Sequence, residues 1–209
     1  DRLSSSLSGG ESQRINIVKS IGSGLVDAIY VLDEPSIGMH PRDIKNLLQV
    51  LIKLRDIGNT LIIVEHDETI IRNADHIIDI GPMAGTNGGR IVAEGSITDI
   101  LNSNNSITAQ YLNNIKVIPK PKYYRKPHNF ISIEKAFENN LKYIDVKIPL
   151  NVITVVTGVS GSGKSSLIKN VLYGNVKKKL GETAEKVGKC YNIQFDPASI
   201  TNIEMIDQN

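Results

Sequence analysis

The sequence predicts an α/β fold, a mostly parallel sheet with helices over it, and three observations predict it. Short apolar runs at 28–32 (AIYVL), 60–64 (TLIIV) and 76–80 read as buried strands. Between the first two, Ile44, Leu47, Leu48, Leu51 and Leu54 recur at three- and four-residue steps, which draws one apolar stripe along a helix. Further on, the β-branched run 152–157 reads as a strand that enters a glycine-rich loop, and from Lys164 onward Leu167, Ile168, Val171 and Leu172 continue it as an amphipathic helix. Strand, helix, strand in succession implies parallel pairing with a crossover.

Each element carries local support. Pro41 stands near the start of the first helix, where a missing N–H costs little, and Gly58 follows it as a C-terminal cap. Residues 90–94 suit a strand at a sheet edge. Segments 130–135 and 142–148 suit an antiparallel pair turning around Asn139 and Asn140. Between 102 and 129 the character changes: Pro119, Pro121 and Pro127 interrupt regular structure, and Lys116, Lys120, Lys122, Arg125 and Lys126 cluster about Tyr123 and Tyr124. A solvated, partly extended linker is preferred there over a basic strip on DNA phosphates. Lys177, Lys178 and Lys179 read as a solvated helix end.

Composition narrows the class. Aromatic residues are 5% of the 209 and Trp is absent, so any core is aliphatic. A net charge of +2 does not by itself announce a nucleic-acid protein. The single cysteine, Cys190, excludes an internal disulfide and a multi-cysteine zinc site within this chain, and fits a free thiol in a reducing compartment. No apolar run approaches the roughly 20 residues needed to span a bilayer. The chain opens without Met and almost directly on a motif, so it reads as a piece of a longer protein.

Residues 158–165 (GVSGSGKS) fit the phosphate-loop pattern G-x-x-x-x-G-K-[ST]. Gly158, Gly161 and Gly163 let the backbone curl so that several N–H groups face one anion. The helix that follows presents its positive end to the same phosphates. Lys164 reaches the β- and γ-phosphates of a nucleoside triphosphate, Ser165 offers an oxygen to Mg²⁺, and Ser160 and Ser166 flank the cradle.

Residues 7–14 (LSGGESQR) resemble the signature of the ABC ATPase superfamily, with Ser8, Gly9 and Gly10 placed to meet a γ-phosphate. Asp33 and Glu34 close the strand 28–32, at the end where α/β proteins put their chemistry. The resemblance makes Asp33 the Mg²⁺-holding acid, Glu34 the catalytic base for the attacking water, and 36–40 a loop that communicates across a dimer interface. His66 resembles the switch histidine that contacts the γ-phosphate, and Gln208 the glutamine that senses the metal. The expected fold is therefore of the P-loop, ABC ATPase type.

In one ABC domain the phosphate loop precedes the signature, the acids and the histidine. Here it follows them. The chain thus reads as halves of two tandem domains. Residues 1–112 end the first (signature, acid pair, switch histidine), 113–129 link, and 130–209 begin the second (phosphate loop, start of the glutamine loop). ABC sites are composite, so 158–165 and Ser8 to Gly10 are expected to serve one site, and Asp33, Glu34 and His66 another.

Residues 21–25 (IGSGL), 35–40 (PSIGMH) and 79–85 (DIGPMAG) with Gly88 and Gly89 depart from transporter ATPases and resemble the excinuclease A (UvrA) family, which 156–166 (VTGVSGSGKSS) also resembles. The resemblance implies a cytoplasmic parent that dimerises, binds duplex DNA carrying lesions, uses ATP and Mg²⁺, and loads the excinuclease B subunit. It also implies structural zinc in the parent, with no zinc ligand in this chain and no membrane partner. Two rivals stand beside it, an ABC transporter ATPase and an excinuclease-like drug-resistance paralogue. This chain alone is expected to be inactive as an ATPase.

Overall fold

The computed structural model describes residues 25–206. They fall into two compact units divided between Lys120 and Pro121. Ser8, Gly9, Gly10 and Gln208 lie outside the described residues.

In the first unit, β1 (Ile29–Asp33) and β2 (Thr60–Val64) pair in parallel, Ile29 opposite Thr60 and Asp33 opposite Val64. The crossover between them is α1 (Pro41–Asp56). His40 caps this helix, its Nδ1 accepting the Arg42 N–H at 3.2 Å, and Pro41 follows at the first helical position. Gly58 ends it at φ +102°, a conformation that costs glycine least. The five periodic residues are all buried, Leu54 at 1% exposure. Ile44, Leu47, Leu51 and Leu54 pack with Ile70, Tyr30, Leu32, Leu61 and Ile63 in one cluster.

Asn59 is buried and fully used. Its Nδ2 donates to the carbonyls of Leu54 (3.0 Å) and Leu25 (3.1 Å), and its Oδ1 accepts the Ala28 N–H at 3.0 Å. One side chain thus ties the end of α1 to the entry of β1, leaving no amide group orphaned.

Two expectations change in this unit. The strands 28–32 and 60–64 were expected to be buried. Only one face is covered, because α1 packs on one side, and Ile29 and Val31 remain 68% and 70% exposed. The third strand, β3 (Ile77–Gly81), does not join the parallel pair. It pairs antiparallel with β4 (Arg90–Gly95) as a separate hairpin, with an irregularity between Asp79 and Ile80. The short helix α2 (Glu68–Arg72) leads into it. Two more, α3 (Ile97–Leu101) and α4 (Ile107–Leu112), follow. Asp79 fastens α4 to β3, since its carboxylate accepts the hydroxyls of Ser106 (2.6 Å) and Thr108 (3.0 Å). Parallel pairing is therefore confined, among the described residues, to β1 and β2.

In the second unit, β5 (Phe130–Ala136) lies between β6 (Ile144–Pro149) and β7 (Asn192–Gln194), antiparallel to both. The antiparallel pair read from the sequence is present, and its connection holds Asn139 at φ +54° and Tyr143 at φ +53°. A helix begins at Lys164, winds as a π-helix over Ser166–Tyr173, and continues as α5 (Gly174–Lys179). Its apolar face (Leu167, Val171, Val176) closes on Ile131, Ile133 and Ile193 of the sheet. Cys190 is a half-buried free thiol, and burial pushes its pKa up.

The run 152–157 was expected as a strand and is not one. Beyond Leu150, whose N–H reaches the Asn129 carbonyl at 2.9 Å, the backbone leaves the sheet and pairs with no described strand. Ile153 is 96% exposed. β-Propensity needs a ladder partner to become a strand, and neither edge of the antiparallel sheet supplies one.

Candidate functional site

Two clusters carry the chemistry, one in each unit. In the second unit the glycine-rich loop holds Gly158, Gly161 and Gly163 at φ +146°, +75° and +104°. The space beside Gly163 is also tight. A Cβ there would stand 3.0 Å from both Asn140 Oδ1 and Leu141 Cδ2. The loop folds back on its own lysine: Lys164 Nζ donates to the carbonyls of Gly158 (2.6 Å) and Val159 (2.9 Å). An ammonium at a helix start, ringed by a tight glycine turn, is a donor set that fits the phosphates of a nucleotide. Ser165 stands beside it on an open cleft of about 490 Å³ lined also by Thr154, Val156 and Ile168.

The turn after β5 braces this loop. Asn140 Nδ2 donates to the Gly161 carbonyl and Asn139 Nδ2 to Ser166 Oγ, both at 2.9 Å. Behind them Glu138, 6% exposed, receives Lys186 Nζ at 3.0 Å and the Lys189 N–H at 3.1 Å. The Lys186 bond is the main reason its carboxyl lies below the usual range. Burial opposes it, and the Lys189 amide adds to it. Because the folded pKa is depressed, this stabilisation is present above the ordinary value near 4.5 and is lost as pH falls through the folded one. Glu138→Ala is expected to cost about 1.5–3 kcal/mol at pH 7, the usual worth of hydrogen bonds to a charged group. Urea unfolding at pH 7 and pH 3 checks it, because the deficit must shrink in acid.

In the first unit β1 and β2 end side by side, and their ends hold Asp33, Glu34, Glu65 and His66. Asp33 is the last residue of the β1 ladder, exposed beyond the sheet end. The Glu34 N–H continues the pairing to the Val64 carbonyl at 2.9 Å, and Glu34 then turns at φ +43°. A non-glycine residue in that region costs roughly 1–3 kcal/mol and persists only when its surroundings enforce it. His66 Nε2 lies 3.4 Å from Glu34 Oε1. Pro35 is fully buried beneath the corner.

Glu65 does the enforcing. Its Oε1 accepts the Ser36 N–H at 2.8 Å, and its Oε2 accepts the N–H groups of His66 (2.8 Å) and Asp67 (3.1 Å). Burial would raise its pKa, but the Ser36 hydroxyl and these three amides together bring it below the usual range. Asp67 in turn caps α2 by accepting the Thr69 and Ile70 N–H groups.

The structure thus brings Glu34 and His66 together, with Asp33 next to Glu34. It sets Ser160, Lys164, Ser165 and Ser166 around the glycine turn. Glu65 and Glu138, and the bracing role of Asn139 and Asn140 beyond their turn, escaped the sequence reading. An acid following a strand that runs parallel to the one bearing the acid pair was the available signal for Glu65. Nothing local marks the other three, whose partners lie 21 to 51 residues away.

No protein-family model matches the chain. Curated relatives do. It is 49% identical, over 209 residues and its whole length, to the UvrABC system protein A of Methanothermobacter thermautotrophicus, and spans 22% of that protein. It is 51% identical over 208 residues to that of Clostridium acetobutylicum, covering 99% of this chain and 21% of the relative. The crystal structure of UvrA2 from Deinococcus radiodurans superposes with a TM-score of 0.87 at 39% identity, over 95% of this chain and 23% of that one. Matched along its whole length while spanning about a fifth of each relative, the chain belongs to the UvrABC system protein A family.

Proposed function

We propose that the chain is part of the DNA-damage-recognising ATPase subunit of nucleotide excision repair, a cytoplasmic protein. Its nucleotide sites gate binding to lesion-bearing duplex DNA and loading of the excinuclease B subunit. The observation that carries the reading is the glycine turn with Lys164 folded across it, held by side chains from the turn after β5. Family membership supplies the repair context.

In this reading Gly158, Ser160, Gly161, Gly163, Lys164, Ser165 and Ser166 hold the triphosphate of ATP, and Ser165 offers its hydroxyl to Mg²⁺. Glu34 is the base for the attacking water and His66 the switch at a second site, where Asp33 faces the metal. Ser8, Gly9, Gly10 and Gln208 complete sites of this kind. ATP with Mg²⁺ supplies the phosphoryl-transfer energy. The chain's own residues cradle phosphate, orient water and accept its proton.

The order of the motifs supports two tandem nucleotide-binding domains, 1–112 and 130–209 contributing to different ones across a linker at 113–129. The acids for the loop at 158–165 are then outside this chain, which binds nucleotide without turning it over. The parent forms a homodimer and carries zinc in modules beyond these residues. Among the described residues no helix is long and apolar enough to cross a membrane.

Binding of the full-length parent to two matched duplexes, one with a single bulky adduct, tests the reading. With ATP present and salt fixed, because phosphate contacts make affinity salt-dependent, the adduct duplex should bind at least tenfold more tightly. Equal binding would refute damage recognition.

A further inference from the structure

We propose that Glu65 is a positioning residue for the hydrolytic site, holding in one geometry both loops that present Glu34 and His66. The inference rests on the reading of Glu34 as the base and His66 as the switch. It goes beyond that reading by assigning a role to a residue whose carboxylate oxygens are taken up by donors of the two loops.

The geometry is specific. The two loops leave neighbouring parallel strands and have no backbone hydrogen bond to each other past the Glu34 N–H to Val64 carbonyl pair. Beyond that pair, one carboxylate spans the gap. Oε1 takes the Ser36 N–H, two residues past Glu34, while Oε2 takes the His66 N–H and the Asp67 N–H. Only a carboxylate serves here. Four donors, the Ser36 hydroxyl and three backbone amides, converge on two oxygens, and an amide would place its NH₂ against one set of them.

The same contact explains how Glu34 keeps its left-handed backbone. Ile37 N–H returns to the Glu34 carbonyl at 3.1 Å and Met39 N–H to Ser36 at 3.0 Å, so 34–39 is a chain of turns with Ser36 as its pivot. Fastening Ser36 fixes where Glu34 points. Fastening His66 N–H fixes the start of the segment that Asp67 then caps. Release of the carboxylate frees both ends of the 3.4 Å Glu34–His66 approach at once. A misplacement of about 1 Å in a catalytic group costs up to about a hundredfold in rate.

A double-mutant cycle in the full-length parent tests this, with steady-state ATP turnover and thermal unfolding as readouts. Glu65→Gln should lower kcat to within about threefold of the level left by Glu34→Gln, with KM for ATP changed less than twofold. Adding Glu65→Gln to Glu34→Gln combined with His66→Ala should lower kcat no further than that pair alone, because Glu65 acts only through the two groups it positions. Losses that multiply, or a wild-type kcat for Glu65→Gln, overturn the proposal. If Glu65→Gln does not fold, Glu65→Asp keeps the charge one methylene short of its partners. It should then show a kcat loss of about tenfold at unchanged KM, and wild-type turnover would overturn the proposal. If Glu34→Gln itself hydrolyses ATP normally, the reading of the acid pair fails, and this inference with it. Loss of turnover in Glu34→Gln alone refutes the inference and leaves that reading standing.

Discussion

Lys164→Ala should weaken binding of Mg–ATP to this chain by about tenfold to a hundredfold, the range set by losing hydrogen bonds from a charged donor worth about 1.5–3 kcal/mol. The lysine is already in place, its ammonium held at 2.6 and 2.9 Å by the carbonyls of Gly158 and Val159. An arriving β/γ-phosphate offers a stronger acceptor than either carbonyl, because the bond to an anion is charge-assisted on both sides. Truncation leaves the loop glycines and the helix start in place, so residual binding measures the backbone amides together with the serine hydroxyls. Glu34→Gln serves as control and should leave affinity unchanged, since in the proposed arrangement Glu34 serves the second site. Isothermal titration calorimetry reads both. Equal affinities for Lys164→Ala and the unaltered chain would remove the lysine from the phosphate site.

The second large effect is on folding. Gly188→Val should destabilise the second unit by about 3 kcal/mol, the upper end of the usual range for overpacking a filled site. Gly188 is buried where the chain approaches the π-helical segment. A Cβ there would stand 2.7 Å from the Asn170 carbonyl carbon and 2.8 Å from the Val171 nitrogen, both backbone atoms that cannot swing aside. The approach is held from both directions. Gly188 N–H donates to the Asn170 carbonyl at 2.8 Å, and Asn175 Nδ2 bridges the Val171 and Gly188 carbonyls at 2.8 and 2.9 Å. Moving the 186–189 stretch outward would also drag on the Lys186 and Lys189 contacts to Glu138. Urea unfolding should therefore show a lower midpoint with an unchanged slope. An unaltered midpoint would mean that this stretch stands away from the helix in solution.

The π winding over Ser166–Tyr173 belongs with these contacts. π-Turns are uncommon and concentrate at functional sites. Here one begins two residues past Lys164 and presents the Asn170 carbonyl to Gly188. The sequence reading expected a helix from Lys164 and had no means of seeing its winding, because Leu167, Ile168, Val171 and Leu172 suit an α-helix equally well.

What was legible in the sequence was legible because its cause is local. The bounds of β2 and the start of α1 follow from apolar runs, from Pro41 and Gly58, and from a 3.6-residue stripe whose members are all buried. The glycine turn follows from the spacing of Gly158, Gly161 and Gly163, and the acid pair from its place at a strand end. What the tertiary structure alone decided is pairing and bracing. Residues 152–157 have strand composition without a ladder partner, and β3 turns back on β4 instead of joining β1 and β2. The bracing groups Glu65, Asn139, Asn140 and Glu138 reach across 21 to 51 residues, or, for Glu65, 29 residues to Ser36. Periodicity and motif spacing report on neighbours along the chain. A hydrogen bond between two loops depends on where the fold brings them, and no local pattern records that.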